Sequence, residues 1–184
     1  MRRLASLLAF VSLATISLAV VPRASARSTI RDLDDATIVA IFDAANAFDI
    51  ETGRLGARHA QNKEVRDYGT MLAQVHTDVR KKAGELAKKL GVKPTLPKDF
   101  AMAKDHAAAL ERLRSLRNKG AAFDRAFLEH EQAFHAAVIN AVTTTLLPAI
   151  KNQELKDFVA SLGPAFEAHR LQAENLQRRL VAEK

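Results

Sequence analysis

The chain has 184 residues, 48% of them hydrophobic, with seven glycines, five prolines and a formal net charge of +7 at pH 7. That length supports one domain with its own core, and scarce glycine and proline beside abundant Ala, Leu, Lys, Arg and Glu favours helices over sheets. The absence of cysteine excludes disulfides, thiol catalysis and thiolate metal sites, so a metal would have to be held by His, Asp and Glu.

Arg2 and Arg3 precede an almost continuously apolar run from Leu4 to Val21, and Ala24-Ser25-Ala26 after Pro22 has the small-x-small form of a leader cleavage site. The reading is a signal peptide over residues 1–26, cleaved after Ala26. An uncleaved N-terminal anchor is the alternative, because the run is long enough to cross a bilayer. A short linker over residues 27–33 leads into a domain over residues 34–183. Export places the mature protein in the periplasm or at the outer membrane. Removing a leader with three arginines and no acid leaves a charge of about +4. The remaining cations, such as Arg80, Lys81, Lys82, Lys88 and Lys89, lie on polar helix faces with no aromatic residues between them. Nucleic acid is therefore not expected as a partner. An envelope protein or an anionic membrane surface is compatible with that charge.

From residue 34 the pattern is helical throughout. Helix A is predicted over Asp34–His59, with Ile38, Phe42, Ala45, Phe48, Thr52 and Leu55 at three- and four-residue steps. Asn62 is an N-cap for helix B, which runs to Leu90 and turns Val65, Tyr68, Leu72, Val79, Ala83 and Leu86 inward. Gly91 suits the residue just past a helix end, and Pro94 and Pro97 keep the next stretch extended. A shorter helix follows over Asp99–Arg117, ended by Asn118-Lys119-Gly120. Helix C spans Ala121–Leu147, with Phe123, Phe127, Phe134, Val138, Val142 and Leu146 inward. Asn152 caps helix D, which runs to Val181 and buries Leu155, Phe158, Leu162, Phe166, Ala173 and Leu176. Pro164 predicts a kink or break between Ser161 and Gly163. Short A–B and C–D connections make each pair antiparallel. The B–C connection of roughly thirty residues can cross the length of the bundle, so the expected fold is an all-α, ferritin-like antiparallel four-helix bundle with an extra helix in that crossover.

An internal repeat points the same way. Asn62-Lys63-Glu64-Val65-Arg66-Asp67-Tyr68 and Asn152-Gln153-Glu154-Leu155-Lys156-Asp157-Phe158 share the pattern N-x-E-aliphatic-basic-D-aromatic. Ala47-Phe48-Asp49 likewise echoes Ala133-Phe134-His135. Two related helical hairpins would pack about a pseudo-two-fold axis.

The informative side chains are those that break the apolar stripes. Asp49 sits at helical steps from Phe42, Ala45, Thr52 and Gly56; His76 continues Leu72, Val79 and Ala83; His169 continues Leu162, Phe166, Ala173 and Leu176. Glu131 and His135 are four apart on helix C and share the side of Leu128 and Val138, although periodicity points His130 inward nearly as well as His135. His59 and His106 read as surface residues. Buried charge is costly unless paired or coordinated. Asp49, His76, Glu131, His135 and His169 therefore read either as ligands of one transition-metal ion (Fe, Mn, Zn, Cu or Ni) or as an interhelical hydrogen-bond network. A bridged di-iron carboxylate centre is excluded, because it needs Glu-x-x-His on two helices. Ala73 stands three residues before His76, and Phe166 three before His169.

Asp49-Ile50-Glu51-x-Gly53-x-Leu55-x-Ala57, Met71-Leu72-x-x-Val75-His76, Phe123-Asp124-x-x-Phe127 with His135, and Pro164-x-x-x-x-His169 occur in that order. In this the chain resembles the bacterial domain of unknown function 4142 family over roughly residues 34–180. The resemblance implies an exported ferritin-like bundle, often labelled an outer-membrane or membrane protein, with no established reaction. It places the family's recurring histidines at His76, His135 and His169 and so favours His135 over His130. Where the family usually has Asp before the helix B histidine, this chain has Val75. Asp49 replaces the usual Glu of helix A. Both departures reduce the supply of carboxylates.

The functions that follow are a non-enzymatic envelope protein binding a metal ion or small ligand, and a structural or interaction module with core histidines. A metal-dependent oxidase ranks third for want of a second carboxylate pair. Nucleophilic hydrolysis has no Gly-x-Ser-x-Gly elbow or cysteine, and Thr143-Thr144-Thr145 reads as helix interior.

Overall fold

In the computed structural model, which describes residues 33–182, every regular element is helical. The expected leader (1–26), and the linker up to residue 32, lie outside the described residues. Helix α1 (Asp35–His59) starts where the Asp34 carboxylate accepts the Thr37 N–H at 2.7 Å. Asn62 opens α2 (Lys63–Lys89) by accepting from the N–H groups of Glu64 and Val65. Gly91 ends it in the left-handed region (φ 66°), which lets the Val92 N–H reach back to the Ala87 carbonyl. Helix α3 (Ala101–Leu116) lies in the crossover. It begins two residues later than the expected Asp99, since Phe100 precedes it without a side-chain cap.

Helix α4 (Ala121–Ala141) does not continue unbroken to Leu147. Val142–Leu146 form one π-helical stretch, and α5 (Leu147–Ala149) completes the last turn. Pro148 has no N–H for the Thr144 carbonyl, which removes one α-helical bond. The hydroxyls of Thr143 and Thr144 bond back to the Ile139 and Asn140 carbonyls at 2.8 and 2.7 Å and stabilise the wider turn. Asn152 then caps α6 (Gln153–Ser161) through the Leu155 N–H, and the chain breaks at Leu162 before α7 (Gly163–Ala182).

The pairings define the topology. Asp43 meets Arg80 and Asn46 meets His76, so α1 and α2 run antiparallel. A Cβ on Gly69 would stand 2.6 Å from the Gly53 carbonyl oxygen and from the Ala57 nitrogen, so glycine here lets the two backbones touch. Glu64 pairs with Arg179 and Lys89 with Glu154, which sets α2 antiparallel to α6 and α7. Two aspartates tie the hairpins at opposite ends of the bundle. Asp124 accepts from the N–H groups of Gln61 and Asn62 at 2.7 and 2.8 Å, and Asp35 accepts from Lys151 and Asn152 at 2.9 and 3.0 Å. Each clamp joins the first helix of one hairpin to the turn of the other. Helix α4 therefore opposes α1 and runs parallel to α2, a direction that only a full-length crossover through α3 allows.

The apolar interior is in two parts. One gathers Ile38, Phe42, Val79, Ala83, Val142 and Leu155; the other gathers Tyr68, Leu72, Leu113, Phe123, Phe127 and Leu176. Along their helices Asn46, Asp49, His76, Glu131, His135 and His169 fall between the residues of these two clusters. Among the described residues, no helix is long and apolar enough to cross a membrane.

Candidate metal centre

The layer between the clusters draws one or two side chains from each of four helices. Helix α1 contributes Asn46 and Asp49, α2 His76, α4 Glu131 and His135 one turn apart, and α7 His169. Asp49, His76, Glu131 and His135 are at most 3% exposed, and His169 is 6% exposed.

Hydrogen bonds decide which ring nitrogens carry protons. Asn46 donates its amide to the Phe42 carbonyl at 2.8 Å, which turns Asn46 Oδ1 toward His76 Nδ1, also at 2.8 Å. His76 must then carry its proton on Nδ1, leaving a lone pair on Nε2, 3.5 Å from Asp49 Oδ2. His135 donates Nδ1–H to the Glu131 carbonyl at 2.9 Å, so its Nε2 is also bare, 3.9 Å from Asp49 Oδ1. Tyr68 donates its hydroxyl to the His169 carbonyl at 3.1 Å and pins α7 beside the site. One nitrogen from each of His76, His135 and His169 lies within 4.8 Å of the other two, and Asp49, Glu131 and His135 form a second such group. The ring centroids are 5.3–5.8 Å apart, and Phe166 lies parallel to the His76 ring as an apolar wall.

Burial sets the charge state. It pushes Glu131 up to about 7, and it raises Asp49 well above the usual carboxylate range, with Glu131 next to it adding to the effect. It lowers His76 to about 3, helped by His135 and His169, and His135 to about 4; His169 is lowered as well. The imidazoles are thus neutral at pH 7 with free lone pairs. Six buried atoms of ligand type have no hydrogen-bond partner among the described residues: Asp49 Oδ1, His76 Nε2, both Glu131 carboxyl oxygens, His135 Nε2 and His169 Nδ1. Native interiors leave few such groups unsatisfied, and the two groups of three that these side chains form could hold a metal ion.

The structure thus brings Asp49, His76, Glu131, His135 and His169 into one layer. His135, not His130, points into it; His130 is half-buried, with its ring 5.7 Å from that of Phe134. His59 is half-buried and edges onto Phe123. The surface reading of His106 is corrected: it is 6% exposed, stacked on Phe48 at 4.1 Å and 3.1 Å from Glu51 Oε2. His106, Leu110 and Leu113 recur at steps of four and three, the signal that marks the inner face of this short helix. Sequence reasoning also missed Asn46, which orients His76 and stands one turn before Asp49, and the clamps Asp35 and Asp124.

No curated protein and no solved structure matches the chain. The sequence model of a family described as domain of unknown function (DUF4142) matches residues 19–176, which include the whole polar layer. With α1 to α6 and most of α7 inside that match, the chain belongs to the DUF4142 family.

Proposed function

We propose that this protein is an exported, non-enzymatic bundle of ferritin-like arrangement that holds one transition-metal ion in its polar layer. His76, His135 and His169 supply neutral nitrogens and Asp49 a carboxylate, with Glu131 as a further ligand or as the acid that balances the ion's charge. The observation that carries this reading is the convergence of six buried, unpartnered ligand atoms. A hydrogen-bond network accounts for Nδ1 of His76 and His135 but leaves both Nε2 atoms without purpose. The outer bonds, to the Asn46 amide and the Glu131 carbonyl, are the kind that orient ligating histidines. Ligand atoms at about 2.0–2.1 Å from a tetrahedral ion stand roughly 3.4 Å apart. The His76 Nε2 to Asp49 Oδ2 distance of 3.5 Å is of that size. Nitrogen donors with carboxylate suit Fe, Mn, Zn, Cu or Ni, and such an ion supplies a positive charge that keeps Asp49 ionised.

The paired antiparallel hairpins and the parallel α2 and α4 support the ferritin-like arrangement. The arginines, apolar run and Ala24-Ser25-Ala26 of the N-terminus support export. Elemental analysis of protein isolated from an envelope fraction, without chelators or affinity histidines, is expected to find about one equivalent of a single metal. His76→Ala and His169→Ala are expected to lose it. Metal-free protein that takes up none of Fe, Mn, Zn, Cu or Ni would overturn the reading.

A further inference from the structure

Among the described residues, the five side chains of the polar layer form two groups of three rather than one group of five. His76, His135 and His169 bring one nitrogen each within 4.8 Å of one another, and Asp49, Glu131 and His135 do the same with two carboxylates and one nitrogen. Donor atoms bound at about 2.0–2.2 Å to one ion stand at most about 4.4 Å apart, so either group closes on an ion with small side-chain shifts. His135 belongs to both groups.

His135 has one lone pair to give. Its Nδ1–H is donated to the Glu131 carbonyl at 2.9 Å, which leaves Nε2 as its ligand atom. The ring is 1% exposed, so packing and this bond hold it together. Nε2 is 3.9 Å from Asp49 Oδ1 and has no hydrogen-bond partner among the described residues. While Nδ1 carries its proton, two ions cannot each take three protein donors. The two groups also differ in chemistry. Three imidazoles suit Zn²⁺, Cu²⁺ or Ni²⁺, whereas two carboxylates with one imidazole suit a harder ion such as Mn²⁺. Asp49 stands between them, its Oδ2 3.5 Å from His76 Nε2 and its Oδ1 toward His135.

We propose that the layer is a two-seat site for a single ion: a nitrogen seat of His76, His135 and His169 that takes Zn²⁺, Cu²⁺ or Ni²⁺, and an oxygen seat of Asp49, Glu131 and His135 that takes Mn²⁺, the two being exclusive because both need His135 Nε2. The inference rests on the metal reading above; the ion expected there to leave with His169→Ala is the one in the nitrogen seat. Chelator-treated full-length protein without affinity histidines would be titrated with Zn²⁺ and with Mn²⁺ separately, and Mn²⁺-loaded protein then with Zn²⁺, free Mn²⁺ being counted by electron paramagnetic resonance. Each metal is expected to bind at about one equivalent, and Zn²⁺ to release Mn²⁺ one for one. His169→Ala is expected to weaken Zn²⁺ about tenfold or more and to leave Mn²⁺ within about threefold, Glu131→Gln to do the reverse, and His135→Ala to weaken both. Far-UV spectra and thermal melts would establish that each variant is folded. Two equivalents bound together, uptake of only one of the two metals, or His169→Ala and Glu131→Gln weakening both metals alike would overturn the two-seat inference and leave the metal reading standing. Binding of neither metal would overturn both.

Discussion

Replacing Glu131 with methionine is expected to stabilise the metal-free protein, and by more as the pH rises. Glu131 is fully buried, and neither carboxyl oxygen has a hydrogen-bond partner among the described residues. Burial raises its pKa from the ordinary 4.5 to about 7. Below pH 4.5 the acid is protonated folded or unfolded and contributes nothing. Between 4.5 and 7 the unfolded chain ionises while the native protein holds the proton, so stability falls with pH; above 7 the loss is complete. That span corresponds to about 3 kcal/mol. Methionine has a similar volume, no charge and enough flexibility to fit the same space. For a domain of this size the gain at pH 8 corresponds to a Tm increase of roughly 6–12 °C, with the pH-dependent part absent near pH 4.5. Urea denaturation of chelator-treated wild type and variant at pH 5, 6.5 and 8 would measure it. A difference between the two that does not grow with pH would refute the reasoning. The same variant is expected to lose part of any stabilisation by added metal, which separates a residue kept for a ligand from one kept for folding.

On the acid side the histidines act in the opposite sense. With His76 lowered to about 3, metal-free protein is fully stabilised by it above pH 6.5 and is expected to lose about 3 kcal/mol by pH 4, a loss that His76→Gln reduces in the same denaturation series. Asp124→Ala leaves two turn N–H groups without their carboxylate and is expected to cost about 3 kcal/mol. Asp35→Ala, at a half-buried clamp, should cost roughly half as much by the same denaturation assay. Gly69→Ala drives a methyl group into the α1 backbone and is expected to cost about 3 kcal/mol or to prevent folding, whereas Gly84→Ala meets nothing and is expected to gain about 0.5–1 kcal/mol, both read from thermal melts.

The helices were legible because their signals are local. Asp34, Asn62, Gly91 and Asn152 act within one turn of themselves, and Pro164 marks the break at Leu162. Inward polar residues were legible too, since an ionisable group on an apolar stripe stands out by spacing alone. What escaped depends on partners far along the chain. Asp124 and Gln61 are separated by 63 residues, and nothing local distinguishes a clamping aspartate from a solvated one. Asn46 carries no charge to draw notice, and its role exists only because His76 arrives from α2. The π stretch needed two weak effects together, Pro148 and the back-bonding threonines, neither of which specifies a π turn by itself.

The polar layer and the two clamps are parts of one arrangement. Asp49 and His76 come from the first hairpin, Glu131, His135 and His169 from the second, and neither hairpin alone assembles three imidazoles. The clamps fix the hairpins' relative register at both ends of the bundle, while the apolar clusters on either side hold the layer dry. An ion taking ligands from both hairpins would bind only when they are docked, so metal affinity and hairpin docking are linked terms of one equilibrium. On the proposed reading, the unpartnered atoms weaken the docked state of the metal-free protein, and an ion bridging the two hairpins would offset that weakening.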